Sequence, residues 1–211
     1  MTVQFIAKLA GVLALTVGLA GCIDATVEIE VQSETNAKAT MTQVMGADIY
    51  SMVKMGAAQA TEGAEATESS ESSDDFCAGG DLTEGSDGSA TCIMTSEGAF
   101  ADLNFGEGQD NETAVFTSAG AGLVRVAFPT EDMKGELGAG DEAMDEETKA
   151  MMQSFFEGHA VTLKVLGGEI VESNMTIAGD KQSAEIVIPF LDLINGTAEL
   201  PAELFAVVKV N

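Results

Sequence analysis

The chain has 211 residues, with 35 acidic side chains against 9 basic ones and a net charge of −26. Such a surface repels polyanions, and no basic cluster offers the phosphate contacts on which nucleic-acid affinity rests, so nucleic acid is excluded as a partner. The length suits one domain with a sizeable core rather than two.

The first 22 residues carry a single cation, Lys8, then an apolar stretch from Leu9 to Leu19 and small residues before Cys22. That is the layout of an export signal, and the run falls short of the roughly 20 apolar residues that span a bilayer. The tetrad Leu19-Ala20-Gly21-Cys22 resembles the lipobox of bacterial lipoproteins. The resemblance implies cleavage before Cys22, a diacylglyceryl thioether on its sulphur and usually an acylated amine, and two or more chains anchor a protein stably. Residues 1–21 then form the signal peptide and 22–211 the mature domain. Ile23, rather than an aspartate, follows the cysteine. In the enterobacterial sorting pattern this implies the outer membrane, with the domain facing the periplasm.

After the anchor, Asp24 to Gln32 alternates polar and apolar residues with period two, as a strand with one wet face does. Ser33 to Asn36 reads as a turn and Lys38 to Met45 as the returning strand. Ala47 to Ala58, with Ile49, Met52, Val53 and Ala57 at helical spacing, reads as a helix. Thr61 to Asp75 holds six acids, four serines and no large apolar side chain, too little to offset its ordering entropy, and is expected to be a disordered loop. Cys77 and Cys92 follow. In an exported chain with one lipidated cysteine, the remaining pair should form a disulfide. Zinc would need three or four Cys or His ligands at short spacing, which the sole histidine, His159, does not supply.

Phe100, Leu103 and Phe105 mark an apolar patch, and Thr113 to Ser118 and Gly122 to Phe128 read as strands, the second ended by Pro129. A helix is expected from about Glu142 to Glu157, capped near Asp141, with Met144, Thr148, Met151, Met152 and Phe155 on one face. Further strands are expected around Val161 to Val165, Glu169 to Ser173, Ala184 to Ile188 and Glu203 to Val210, broken by Gly167-Gly168, Pro189 and Pro201. The expected fold class is α+β: a mainly antiparallel sheet of about six to eight strands with two amphipathic helices.

The run Cys22-Ile23-Asp24-Ala25-Thr26-Val27, the hairpin and helix after it, and the segment Gly167-Gly168-Glu169-Ile170-Val171-Glu172-Ser173-Asn174 resemble the LppM-type bacterial lipoproteins. The resemblance implies an α+β domain that binds or carries lipid at the envelope, without enzymatic activity.

The residues themselves are compatible with lipid binding without requiring it. No G-x-S-x-G elbow, phosphate loop or H-E-x-x-H helix is present, and His159 falls between a helix and a strand, so no catalytic site or cofactor is expected. Met52, Met55, Met151, Met152, Phe155 and Phe156 are the candidate apolar ligand surface, since methionines adapt to varied ligands, and ordinary core packing of amphipathic helices on the sheet is the favoured alternative for the same residues. Phe155 and Phe156 are adjacent on a helix and cannot face the same way. The expected function is non-enzymatic binding or scaffolding, with a lipid or an envelope protein as partner and the membrane engaged through Cys22. The alternative is a divalent-cation-binding envelope protein, through Asp81 to Gly88 or Glu107 to Glu112, although neither has the spacing of a twelve-residue calcium loop.

Overall fold

A computed structural model describes residues 24–60, 75–103, 114–130, 153 and 156–210. In chain order the elements are β1 (Asp24–Val31), β2 (Asn36–Met45), α1 (Ala47–Ala60), a 3-10 turn (Asp75–Cys77), β3 (Asp81–Glu84), β4 (Ala90–Ala99), a second 3-10 turn (Phe100–Asp102), β5 (Val115–Gly120), β6 (Leu123–Pro129), β7 (Ala160–Leu166), β8 (Glu169–Ser173), β9 (Thr176–Ile177), β10 (Ser183–Pro189), α2 (Phe190–Ile194) and β11 (Glu203–Lys209). The signal peptide with Cys22, the acidic residues 61–74, Phe105 and most of the helix expected over 142–157 lie outside the described residues.

The α+β class is corrected by these elements. Among the described residues the protein is mostly β, 55% strand against 16% helix. Its strands form two sheets, one of seven in the order β3-β4-β2-β1-β7-β10-β9 and one of four in the order β5-β6-β11-β8. Only α1 exceeds two turns among the described residues. The physical reason is that the apolar faces of β6, β8 and β11 bury against other strands where helices were expected to cover a single sheet.

The described residues gather into two compact units, one of Thr42–Met94 and one of Asp24–Met41 with Thr95–Asn211. In the first, Met45, Tyr50 and Ala90 form a small core with Ile49, Val53 and Phe76 packed against it. In the second, inward residues of both sheets make one large core, including Ile29, Val31, Leu163 and Val165 from the longer sheet and Val124, Val126, Phe128, Leu204 and Val208 from the shorter. Sheet-on-sheet packing of alternating strands produces such a core.

Alternation in β1 is strict: Ala25, Val27, Ile29 and Val31 are buried while Asp24, Thr26, Glu28 and Glu30 are not. Its partner on one side is β7, which runs parallel in the register Ala25↔Val161 to Glu30↔Leu166. β10 then pairs antiparallel with β7, Ile186 opposite Leu163. The chain crosses from the longer sheet to the shorter at Gly167-Gly168. A Cβ on Gly167 would stand 2.1 Å from the Val31 carbonyl oxygen, and one on Gly168 2.2 Å from that of Lys209. Two glycines are therefore a steric requirement of the crossing.

Beyond β10, Pro189 admits α2, a five-residue helix with Phe190, Leu193 and Ile194 buried. The Asp192 carbonyl accepts the N–H groups of Thr197 and Ala198 as the helix ends. The Asn174 side chain extends the β8–β11 ladder, donating to the Glu203 carbonyl at 2.9 Å and accepting the Phe205 N–H at 2.8 Å. Thr130, fully buried, closes the end of β6 by donating its hydroxyl to the Pro201 carbonyl.

Candidate functional site

In the unit Thr42–Met94, one carboxylate fixes α1 to β3. Glu84 accepts the Tyr50 hydroxyl at 2.7 Å and the Lys54 ammonium at 2.8 Å on the same oxygen. Positions 50 and 54 are one turn apart on the helix, which lets both side chains converge. Lys54 also stands 5.0 Å from the Tyr50 ring centroid, a cation–π contact. The hydrogen bond from Lys54, then that from Tyr50, holds the Glu84 carboxyl below its ordinary 4.5. The same Glu84 bond raises the Lys54 ammonium above 10.5.

Of the candidate ligand surface, Met52 and Met55 on α1 remain in solvent, 48% and 56% exposed. Phe156 is placed otherwise. It is 8% exposed and packs into the core of the second unit, its ring 5.2 Å from that of Phe190. Met151, Met152 and Phe155 lie outside the described residues. Phe156 is therefore a core side chain of the second unit and not part of an exposed ligand surface.

Cys77 and Cys92 are joined in a disulfide. Both are buried, and Cys92 sits within β4 opposite Leu82. Gly80 packs so tightly on the bridge that a Cβ there would stand 2.9 Å from either sulphur. The bridge ties the chain that follows residues 61–74 to the sheet and leaves neither Cys77 nor Cys92 a thiol for metal or nucleophilic chemistry.

In the acidic segment offered for cations two carboxylates are engaged by protein groups, Glu84 by Lys54 and Tyr50 and Asp87 by Ser89. Asp81 and Glu84 belong to β3, and Asp87 accepts both the hydroxyl, at 2.7 Å, and the N–H, at 3.1 Å, of Ser89. Those bonds, the hydroxyl's first, hold the Asp87 carboxyl below its ordinary 3.8. Among the described residues no group of three or more His, Cys, Asp or Glu side chains converges as a metal would need. Residues 107–112 lie outside them.

β1 begins at Asp24, with Ile23 alone between it and Cys22. Asp24 accepts the Ala160 N–H at 3.1 Å on one oxygen and lies 3.2 Å from His159 Nδ1 on the other. His159 is thus the boundary residue before β7, engaged with the first residue of β1. The sequence reading missed this pair and the Tyr50–Lys54–Glu84 cluster. The spacing of Tyr50 and Lys54 was a visible signal, whereas Glu84 and His159 are distant in the chain and carried none.

Among the described residues no helix is long and apolar enough to cross a membrane. No protein-family model matches the chain, and no curated protein matches it. Among solved structures, the chain is similar to the NMR structure of the folded domain of Mycobacterium tuberculosis LppM, with a TM-score of 0.41 and 10% sequence identity over 90% of this chain and 92% of that one.

Proposed function

We propose that the chain is an envelope lipoprotein, tethered by lipid on Cys22 to the outer membrane and presenting its strand-rich domain to the periplasm for binding or scaffolding. The observation that carries this reading is the tetrad Leu19-Ala20-Gly21-Cys22 placed two residues before the first strand. A cysteine at that position joins an anchor directly to a fold. A binding role rather than catalysis is supported by the sequence, which carries no nucleophile elbow, phosphate loop or zinc-helix motif. Met52 and Met55 are the exposed apolar side chains of α1 and the place to seek a lipid ligand.

The test is fractionation and intact mass of the full chain expressed in a diderm bacterium, beside Cys22→Ser. The wild-type chain is expected in the outer-membrane fraction with the mass of a processed, acylated protein, and the variant as unprocessed precursor. Wild-type protein found soluble and without added lipid mass would overturn the reading.

A further inference from the structure

We infer that two copies of the chain pair through the free edge of β5, antiparallel and about a two-fold axis at Thr117, so that their four-stranded sheets continue into one another. The pairing does not depend on lipidation of Cys22.

The edge of a sheet presents backbone N–H and C=O groups that another extended strand satisfies, and folds guard such edges with charge, proline, brevity or a covering group. Among the described residues three of the four sheet edges are guarded in this way. β3 carries Asp81 and Glu84, and β9 is only two residues long. β8 carries Glu169 and Glu172, and its Ile170 N–H already donates to the Lys181 carbonyl at 2.8 Å. β5 ends the four-stranded sheet with six residues, none charged and none proline.

Register decides which groups of β5 point outward. The Thr130 N–H donates to the Ala202 carbonyl, and the alternation carries along β6, so that Phe128, Val126 and Val124 bond β11 while Ala127 and Arg125 bond β5. Val115 and Thr117, opposite Ala127 and Arg125, therefore direct their backbone groups to β6. Phe116 and Ser118 direct theirs to the open side.

A two-fold axis at Thr117 sets Phe116 of each copy opposite Ser118 of the other, which forms four N–H···O=C bonds. The side chains fit the same axis, each large one meeting a small one. Phe116, whose ring centroid lies 4.4 Å from that of Phe100 in a stacked pair, meets a serine, and Val115 meets Ala119. Thr117 meets its own copy, a favourable cross-strand pair. A net charge of −26 sets copies against each other over the rest of the surface. The charge beside Thr117 on β6, Arg125, is bonded to Glu203 at 2.7 Å. This edge is where two copies meet without opposing like charges.

Four bonds join two copies weakly, so a trapping crosslink is the test. The two residues 117 form a non-hydrogen-bonded pair with Cα atoms about 4.5 Å apart, within disulfide reach. The two residues 119 lie four positions apart along the strands, about 14 Å. The full chain carrying Thr117→Cys or Ala119→Cys is oxidised with copper phenanthroline beside the wild-type chain, and mass spectrometry of a digest identifies the linked residues. A 117–117 link without a 119–119 link is the expected result. Adding Ser118→Pro to Thr117→Cys is expected to lower the yield about tenfold, since proline removes an outward N–H from each copy and spares the β6 ladder. A 119–119 link as abundant as the 117–117 link overturns the pairing, as does a yield unchanged by a Ser118→Pro variant that circular dichroism shows to be folded. Absence of the 117–117 link overturns it too and leaves the edge to a strand of another protein. Should proline unfold the chain, the comparison of 117 with 119 decides alone.

Discussion

Replacing Gly167 by alanine tests how closely the strands are packed where the chain changes sheets. The added Cβ would stand 2.1, 2.6 and 2.8 Å from the carbonyl oxygen, nitrogen and carbonyl carbon of Val31. These are backbone atoms of the last residue of β1, which is fully buried, so no flexible side chain can yield. Residue 167 also has φ +112°, a conformation L side chains rarely adopt. Backbone strain of this type costs about 1–3 kcal/mol, and overpacking a well-filled site about 1–3 kcal/mol more. A combined loss of about 4 kcal/mol is a large share of a total of roughly 5–15 kcal/mol, and in a domain of this size it lowers Tm by roughly 8–16 °C. Urea unfolding of the oxidised, signal-free protein, followed by far-UV circular dichroism, measures the change. Gly179→Ala is the control, since a Cβ there meets nothing within 4 Å. A Gly167→Ala variant within about 1 kcal/mol of that control, less than overpacking alone would cost, would refute the close approach.

Two further outcomes follow from the smaller unit. Replacing Cys77 and Cys92 together by serine opens a loop with a sequence separation of 15 and is expected to cost about 3 kcal/mol. Amide exchange should rise in β3 and β4 before it rises in β6 and β11, and unchanged protection in β3 and β4 would contradict the assigned role of the bridge. In a carboxyl carbon NMR titration, Glu84 is expected to titrate below 4.5, because Lys54 and Tyr50 bond its charged form. A depressed carboxylate contributes stability above its unfolded value and loses it as pH falls through the folded one, so the contact between α1 and β3 should loosen on acidification below pH 4.5. The raised Lys54 works at the opposite limit: its contribution is present below 10.5 and lost as pH rises through the higher folded value. A Glu84 midpoint at or above 4.5 would show that the cluster does not persist in solution.

Much of the local structure was legible in the residues. The alternation from Asp24 to Val31, the returning strand, the helix beginning at Ala47, and the short strands ended by Pro129 and Pro189 all lie where the pattern of side chains places them. The disulfide was legible too, because oxidation leaves little else for a lone pair of cysteines to do. Period-two alternation states which side chains share a face, but it does not name the neighbouring strand. β1 pairs with β7 across an interval of more than a hundred residues, and in parallel, where a hairpin pattern suggests antiparallel neighbours. β3, β9 and α2 went unseen because they are too short for a period to register, and the ten-residue β4 went unseen because its buried positions hold the small Ala90 and Cys92 while Ile93 is exposed.

The sequence by itself determined the acidic character of the chain and the faces of β1 and β7, since each depends on residues adjacent in the chain. Only the tertiary structure decided that strands rather than helices cover the core, that Phe156 belongs inside it, and that Glu84 and His159 have the partners they have. Those outcomes follow from which distant apolar faces fill one another's volume, and no local pattern of residues encodes that choice.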